Sequence, residues 1–248
     1  DMRILYIAIL TMFQVQWLLH GECINGYHDN GKYFLTSNKT YVSYYKTKCK
    51  NLLNKAKPLM EIYRAESQGS FNAFMVSNSK LKGKRRRILS SLPIHTISDE
   101  LLLRILKHNN ISNEDIKTIT KSVQEQKNLI ANILETSILE DKISEISEKD
   151  FEKNPPILSL SDSFYENKVY YSYDEYVEHL KLTKEFQKTH SNYKISHNSN
   201  IVFKNIKIYF FDDNWIMISK DNSPSIHFVI HHPKLMDAIN KFVPPVVE

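Results

Sequence analysis

A long helical pattern in the middle of the chain most constrains what the chain can fold into. Apolar residues recur every three or four positions from Ile116 to Leu134, which is the spacing of one helix face. Ser112 and Asp115 stand where a capping box begins a helix, and the pattern extends as far as Leu139. The sequence therefore predicts one long helix whose apolar face suits either a dimer contact or packing within a single chain.

The stretches of sequence before and after this helix each combine helical periodicity with short runs typical of strands. Before it, the predicted elements are a helix at 40–57, strands at 59–64, 71–76 and 88–93, and a helix that Ser98 caps. After it come a strand at 169–171, a helix at 174–189, a strand at 193–196, a hairpin of 206–211 with 215–219, a strand at 226–230 and a helix opening at Pro233. We therefore expect an α/β (or α+β) fold, with an N-terminal helical remnant and then two α/β parts joined by the long helix.

The order helix, strand, hairpin, strand, helix occurs twice, over residues 40–106 and 174–242. One hypothesis is that these two stretches form two equivalent α/β halves. The two stretches share little sequence, so coincidence explains the repeated order equally well. Pro155 and Pro156 follow a charged, serine-rich stretch and indicate a boundary. The predicted domains are 1–22, a linker at 23–38, a helix-rich α/β part at 39–153 and a C-terminal α/β part at 154–248.

Composition excludes several classes of function. The net charge of +5 suits DNA or an anionic ligand, although a diffuse excess of lysine explains it as well. With only 5 glycines and neither GxGxxG nor a P-loop motif, dinucleotide and P-loop sites are excluded. Cys23 and Cys49 form no CxxC pair, so either one disulfide or a reduced setting fits them. We predict no metal, no cofactor and no catalytic residue.

The apolar segment at 2–22 decides the compartment. Arg3 and the run after it are typical of a signal peptide, which would make this an exported interaction protein, but Gln14 and Gln16 stand where small cleavage-site residues belong. The run is also shorter than the ~20 residues of a membrane-spanning helix. Two short helices, the second ending at Gly21, account for more of the residues. Their apolar faces consist of Leu5, Ala8, Ile9 and Met12, then of Val15, Trp17, Leu18 and Leu19.

This segment resembles the last part of a Cro/repressor-type (Xre-like) helix-turn-helix domain, a bacterial DNA-binding domain that often closes on W-L-L-x-G-E. The matching residues are Ile7, Ala8, Phe13, Val15, Trp17, Leu18, Leu19, Gly21 and Glu22. The resemblance implies that most of the DNA-binding domain lies upstream of Asp1, and that the rest is the effector-sensing and dimerising region of a transcriptional regulator. It also implies that the protein is a cytoplasmic homodimer, that it contacts DNA through the missing domain and that it has no membrane partner.

The strongest charge run, K-L-K-G-K-R-R-R at 80–87, provides candidate DNA-binding residues. Lys84, Arg85, Arg86 and Arg87 are suited to phosphate contacts, which are sequence-independent. Because no aromatic residue interrupts the charges, a solvated hairpin loop is the simpler interpretation.

A second cluster provides candidate ligands for a small anionic effector: His227, His231, His232 and Lys234. It lies where the last strand ends and a helix begins, and both positions favour anions. The H-x-K spacing of His232 and Lys234 is similar to that of phospholipase-D-type phosphodiesterases, which implies an alternative function as a phosphodiesterase-like enzyme. The simpler interpretation is that His227 is a hydrogen-bonded core histidine and the other two histidines end a strand.

Overall fold

The computed structural model describes residues 4–7, 18–24, 32–55, 59–197, 205–220 and 223–241. Its contacts divide the chain into two compact units, Asp1–Pro58 and Leu59–Glu248. The border that we predicted at 153/154 therefore lies inside the second unit. The expected mixed α/β class is confirmed.

The first unit contains a three-stranded antiparallel sheet and one helix. They are β1 (Ile4–Ile7), β2 (Leu18–Ile24) and β3 (Lys32–Thr36), in the order β1-β2-β3, followed by α1 (Lys39–Lys55). The predicted N-terminal helices are therefore wrong for 4–7 and 18–24, because the backbone groups there pair between strands. β3 lies in the predicted linker. The rest of the predicted helical faces, at 8–17, lies outside the described residues.

Helix α1 confirms the helix predicted at 40–57, but not a core role for its apolar stripe. The Asn38 Oδ1 atom accepts a hydrogen bond from the Thr40 amide at 3.0 Å, which caps the helix start. Val42 is buried. The large side chains of the stripe are exposed: Tyr41, Tyr44, Leu52 and Leu53. A subunit contact through this stripe stays a prediction.

The second unit is built around a seven-stranded sheet. Its strands are β4 (Met60–Tyr63), β5 (Lys84–Ile88), β6 (Ile138–Ile143), β7 (Tyr193–His197), β8 (Ile206–Phe211), β9 (Trp215–Lys220) and β10 (Ile226–Ile230). Its helices are α2 (Gln68–Ser79), α3 (Asp99–His108), α4 (Asn113–Thr136), α5 (Glu148–Lys153), α6 (Tyr173–Thr189) and α7 (Pro233–Lys241). Two 3-10 turns, Ile94–Thr96 and Ser161–Ser163, bring further polar residues to the sheet.

The strand order is β4-β10-β9-β8-β5-β6-β7. Strands β5, β6 and β7 are parallel to one another, and the other neighbours are antiparallel. The hypothesis of two equivalent halves is wrong, because the described elements of the first stretch have the order α1-β4-α2-β5-α3 and those of the second have the order α6-β7-β8-β9-β10-α7. The strand predicted at 71–76 is also wrong and belongs to α2. Phe71, Phe74 and Met75 follow helical spacing there, and this face packs on aromatic residues of the sheet.

Helix α4 confirms the predicted long helix. The Ser112 Oγ atom accepts a hydrogen bond from the Asp115 amide at 3.1 Å, as the sequence predicts. The first half of its apolar face packs with α3 and α6, and the second half packs against Leu139 of β6 and Tyr193 of β7. The apolar face of α4 is therefore used within the chain, which was the second of the two predicted uses.

Because side chains alternate along strands, the sheet has two faces. We call the face that carries Arg85, Arg87 and Tyr209 the inner face. It packs against α2, where Phe71 contacts the aromatic cluster of Tyr209, Phe211 and Trp215. The opposite face carries Ile208, Phe210, Ile216 and Ile230, which pack against Met236 of α7. The charged residues of the inner face are thus covered by helices.

Candidate ligand-binding cavity

The predicted basic patch lies inside the sheet. Lys84 and the next four residues form β5, between β8 and β6. Arg85 and Arg87 are only 6% and 7% exposed, whereas Lys84 is exposed and the Arg86 guanidinium lies 4.2 Å from the Phe210 ring centroid on the opposite face. The prediction of four adjacent DNA contacts is therefore wrong for Arg85 and Arg87, because strand alternation turns them into the interior.

Arg87 is neutralised by a carboxylate from the neighbouring strand. Its Nε and Nη2 atoms donate to Oδ1 and Oδ2 of Asp141 at 2.6 and 2.5 Å, and the Tyr193 hydroxyl donates to Oδ2 at 2.6 Å. Burial lowers the pKa of Arg87, but the Asp141 carboxylate more than offsets this and leaves the pKa above its ordinary value. The pair is a fixed, fully formed part of the interior.

A second buried ion pair lies on β8. The Lys207 ammonium is 2.8 Å from Oδ1 of Asp162, and the Tyr209 hydroxyl donates to Oδ2 of Asp162 at 3.2 Å. Burial raises the pKa of Asp162, and Lys207 outweighs this effect, so the net shift is downward. Asp162 is therefore held as a carboxylate, and Lys207 has its counter-charge.

Arg85 differs from these two cations because no carboxylate pairs with it among the residues described. Its Nη2 atom donates to the backbone oxygens of Asn78 and Leu81 at 2.6 and 2.9 Å, and the guanidinium stacks 3.7 Å from the Phe211 ring centroid. Its Nε atom is buried without a hydrogen-bond partner. Burial lowers the pKa of Arg85 to about 10, partly offset by Asp212. A buried cation with a spare N–H group therefore remains.

His95 supplies a second spare donor. Its Nδ1 atom lies 3.3 Å from Nη2 of Arg87, and since a guanidinium only donates, Nδ1 must accept. Burial, then the Arg87 charge, lowers the pKa of His95 well below its ordinary value, so the ring is neutral and its proton is on Nε2. That Nε2 atom is buried without a partner, and so is the amide Nε2 of Gln126 on α4.

These three spare donors, on Arg85, His95 and Gln126, line one inner cavity of about 50 Å³. A space of this size holds a few water molecules or one small polar group, since one water needs roughly 10–15 Å³. A groove of about 370 Å³ between α2 and α4 shares Met75, Gln126, Leu129 and Asp162 with the cavity. The arrangement suits a ligand that brings hydrogen-bond acceptors into the cavity through the groove.

The structure does not bring the predicted effector residues together. His227 is fully buried, hydrogen-bonded through Nδ1 to Ser219 at 2.8 Å and stacked on Phe71 at 4.2 Å between ring centroids. His231, His232 and Lys234 are exposed and line neither the cavity nor the groove. The four residues therefore do not form one anion site, and His227 is the hydrogen-bonded core histidine of the simpler interpretation.

Sequence reasoning missed His95, Gln126, Asp141 and Asp162. The one usable signal was the alternation of Ile138, Glu140 and Lys142 with buried positions in β6, which we interpreted as the end of the long helix and a charged stretch.

Within the ranges that the structure describes, no group of three or more His, Cys, Asp or Glu residues is placed to hold a metal ion. No helix in those same ranges is both long enough and apolar enough to cross a membrane. No family model, no curated protein and no solved structure matches this chain.

Proposed function

We propose that residues 59–248 are the effector-sensing region of a transcriptional regulator, and that the effector is a small anion bound in the inner cavity. The observation that carries this proposal is the set of three spare N–H donors on Arg85, His95 and Gln126 around one cavity. Each buried donor without a partner destabilises a protein by about 1–3 kcal/mol. A ligand with acceptor oxygens removes this penalty, and a negative charge also balances Arg85.

The regulatory part of the proposal rests on the sequence pattern of residues 2–22 alone, which resembles the end of a helix-turn-helix domain, and not on their conformation, since Ile4–Ile7 and Leu18–Ile24 form strands. In this proposal the protein is a cytoplasmic homodimer that contacts DNA through a separate helix-turn-helix domain. The exposed apolar stripe of α1 supports a subunit contact. We therefore expect the coding sequence before Asp1 to encode an in-frame helix-turn-helix, and a different upstream domain would refute this part.

Ligand binding is tested by the thermal stability of the purified chain against a panel of small carboxylates, phosphates and uncharged compounds. We expect at least one anion to raise the melting temperature in a concentration-dependent way, because a ligand that binds only the folded state stabilises it. The Gln126→Leu variant should reduce that shift while remaining folded, since it removes a buried donor that has no partner. A panel in which no compound stabilises the chain would refute the sensing function.

A further inference from the structure

The inner cavity alone does not define the ligand, because the groove beside it has a different chemistry. The groove is bounded by Phe71, Met75 and Val76 of α2 and by Leu129 of α4. Amide and hydroxyl groups and the carboxylates of Glu125 and Asp162 lie at its margins, and Asp162 is paired with Lys207. Val76 is 47% exposed. Apolar side chains thus extend from solvent to the cavity, which is typical of a site that buries an apolar ligand body.

The charges of the inner face determine the charge of the ligand group that enters the cavity. Arg87 and Lys207 each have a buried carboxylate partner, Asp141 and Asp162 respectively. Arg85 has none among the residues described, and its guanidinium is held at the cavity by two backbone oxygens. Asp212 acts on the Arg85 charge but does not pair with it, so one negative charge at the cavity balances this cation, whereas a doubly charged group would leave a negative charge in the interior.

The remaining wall of the cavity limits the size of that group. Ile130, Ile133, Leu139 and Trp215 line the cavity together with the donors. A volume of about 50 Å³ whose walls combine these apolar side chains with polar groups suits a planar group of a few atoms. A carboxylate has this size, a single charge and acceptor oxygens for N–H donors.

We propose that the ligand is a monocarboxylic acid with an apolar body. The inference rests on the proposed sensing function and specifies its ligand class. The carboxylate accepts hydrogen bonds from Nε of Arg85 and from the Nε2 atoms of His95 and Gln126, and the hydrocarbon part lies in the groove between α2 and α4. The charge of the ligand and the length of its apolar part then both contribute to the affinity. A matched series of compounds, in which one lacks the charge and another lacks the apolar part, separates the two contributions.

The experiment is isothermal titration calorimetry of the whole chain near neutral pH with octanoate and 3-phenylpropionate, and with octanamide and acetate as matched controls. We expect at least one of the two acids to bind at least about tenfold more tightly than octanamide, which lacks the charge, and than acetate, which lacks the apolar body. The Gln126→Leu variant should weaken that binding about 10- to 150-fold, the range expected for one hydrogen bond to a charged group. Gln124→Leu, an exposed glutamine on the same helix, should leave the affinity unchanged.

Each other outcome is decisive. If octanamide binds as tightly as octanoate in a Gln126-dependent way, the inferred charge is wrong and the sensing function stands. Inorganic phosphate is used as a further probe. If acetate or phosphate binds more tightly than both longer acids, the inference that the ligand has an apolar body is refuted, and the proposal of an anion site is retained. If neither longer acid binds but another compound of the stability panel does, the ligand class is wrong. If no compound binds at all, both proposals are refuted.

Discussion

Replacing Asp141 by asparagine tests whether the buried network is as tightly paired as its geometry indicates. The Asp141 side chain is fully buried and that of Arg87 is 9% exposed, so the variant leaves the guanidinium charge in the interior without its counter-ion. Removing one partner of such a pair destabilises proteins by about 3–5 kcal/mol. At 2–4 °C per kcal/mol for a chain of this size, the melting temperature should fall by roughly 6–20 °C.

Urea unfolding of the whole chain, followed by far-UV circular dichroism, measures this loss, and calorimetry measures the melting temperature. The matched control is Glu178→Gln, which removes the carboxylate from the ion pair of Glu178 with Arg104. This pair is exposed to solvent: the Arg104 side chain is 52% exposed and the Glu178 side chain is 44% exposed. We expect it to lose less than about 1 kcal/mol. A loss of under about 1 kcal/mol in Asp141→Asn would refute the reasoning. The double variant Arg87→Met/Asp141→Leu should recover part of the stability, because it leaves no unpaired charge, although the Tyr193 hydroxyl and the Nδ1 atom of His95 lose these partners.

Three further outcomes are expected. Acidification should destabilise the fold: burial lowers the pKa of His179 to about 3, and burial, then the Arg87 charge, lowers that of His95. Each ring takes up its proton only on unfolding, so each contributes a loss of up to about 1.4 kcal/mol per pH unit below pH ~6.5. Urea midpoints between about pH 7 and 5 measure this slope, and the variant His179→Gln should remove the contribution of His179 and reduce the slope. Ser172→Ala removes the capping box with Glu175 at the start of α6 and should cost about 1 kcal/mol in the same assay; a change of less than a few tenths would contradict the cap. Trp215→Phe removes the hydrogen bond from Nε1 to Asn78 and should lose about 1 kcal/mol or more, whereas an unchanged midpoint would contradict that bond.

The parts of the fold that local sequence predicts are those that local physics determines. Helix α4 follows from a sustained apolar face with a serine cap, and the β8–β9 hairpin follows from alternating strands around Asp212. Helix α2 was missed because its apolar face is short and looks like an alternating run. The N-terminal strands were missed because segments of four to seven residues with a few apolar side chains do not distinguish a strand from a helix turn when their partners in the sheet are unknown.

The cavity was missed for a different reason. A run of four basic residues is typical of a solvated surface, and Arg87 becomes buried only because Asp141, 54 positions later in the chain, neutralises it. Nothing near Arg87 in the sequence predicts that partner. The spare donors on His95 and Gln126 belong to a turn and a helix that the fold brings over the sheet, so their common cavity depends on tertiary structure alone.

The order of the strands also affects how this molecule is made. On the ribosome, β4 and β5 emerge early, yet the three strands that lie between them in the sheet are the last to be synthesised. The nascent chain must therefore hold two strands with unpaired backbone edges until more than a hundred further residues have been added, a state that favours slow folding and aggregation. Shortened versions that stop before residue 226 lack β10, and those that stop before residue 206 lack all three strands between β4 and β5, so expression trials should keep the second unit whole and remove residues only upstream of β4.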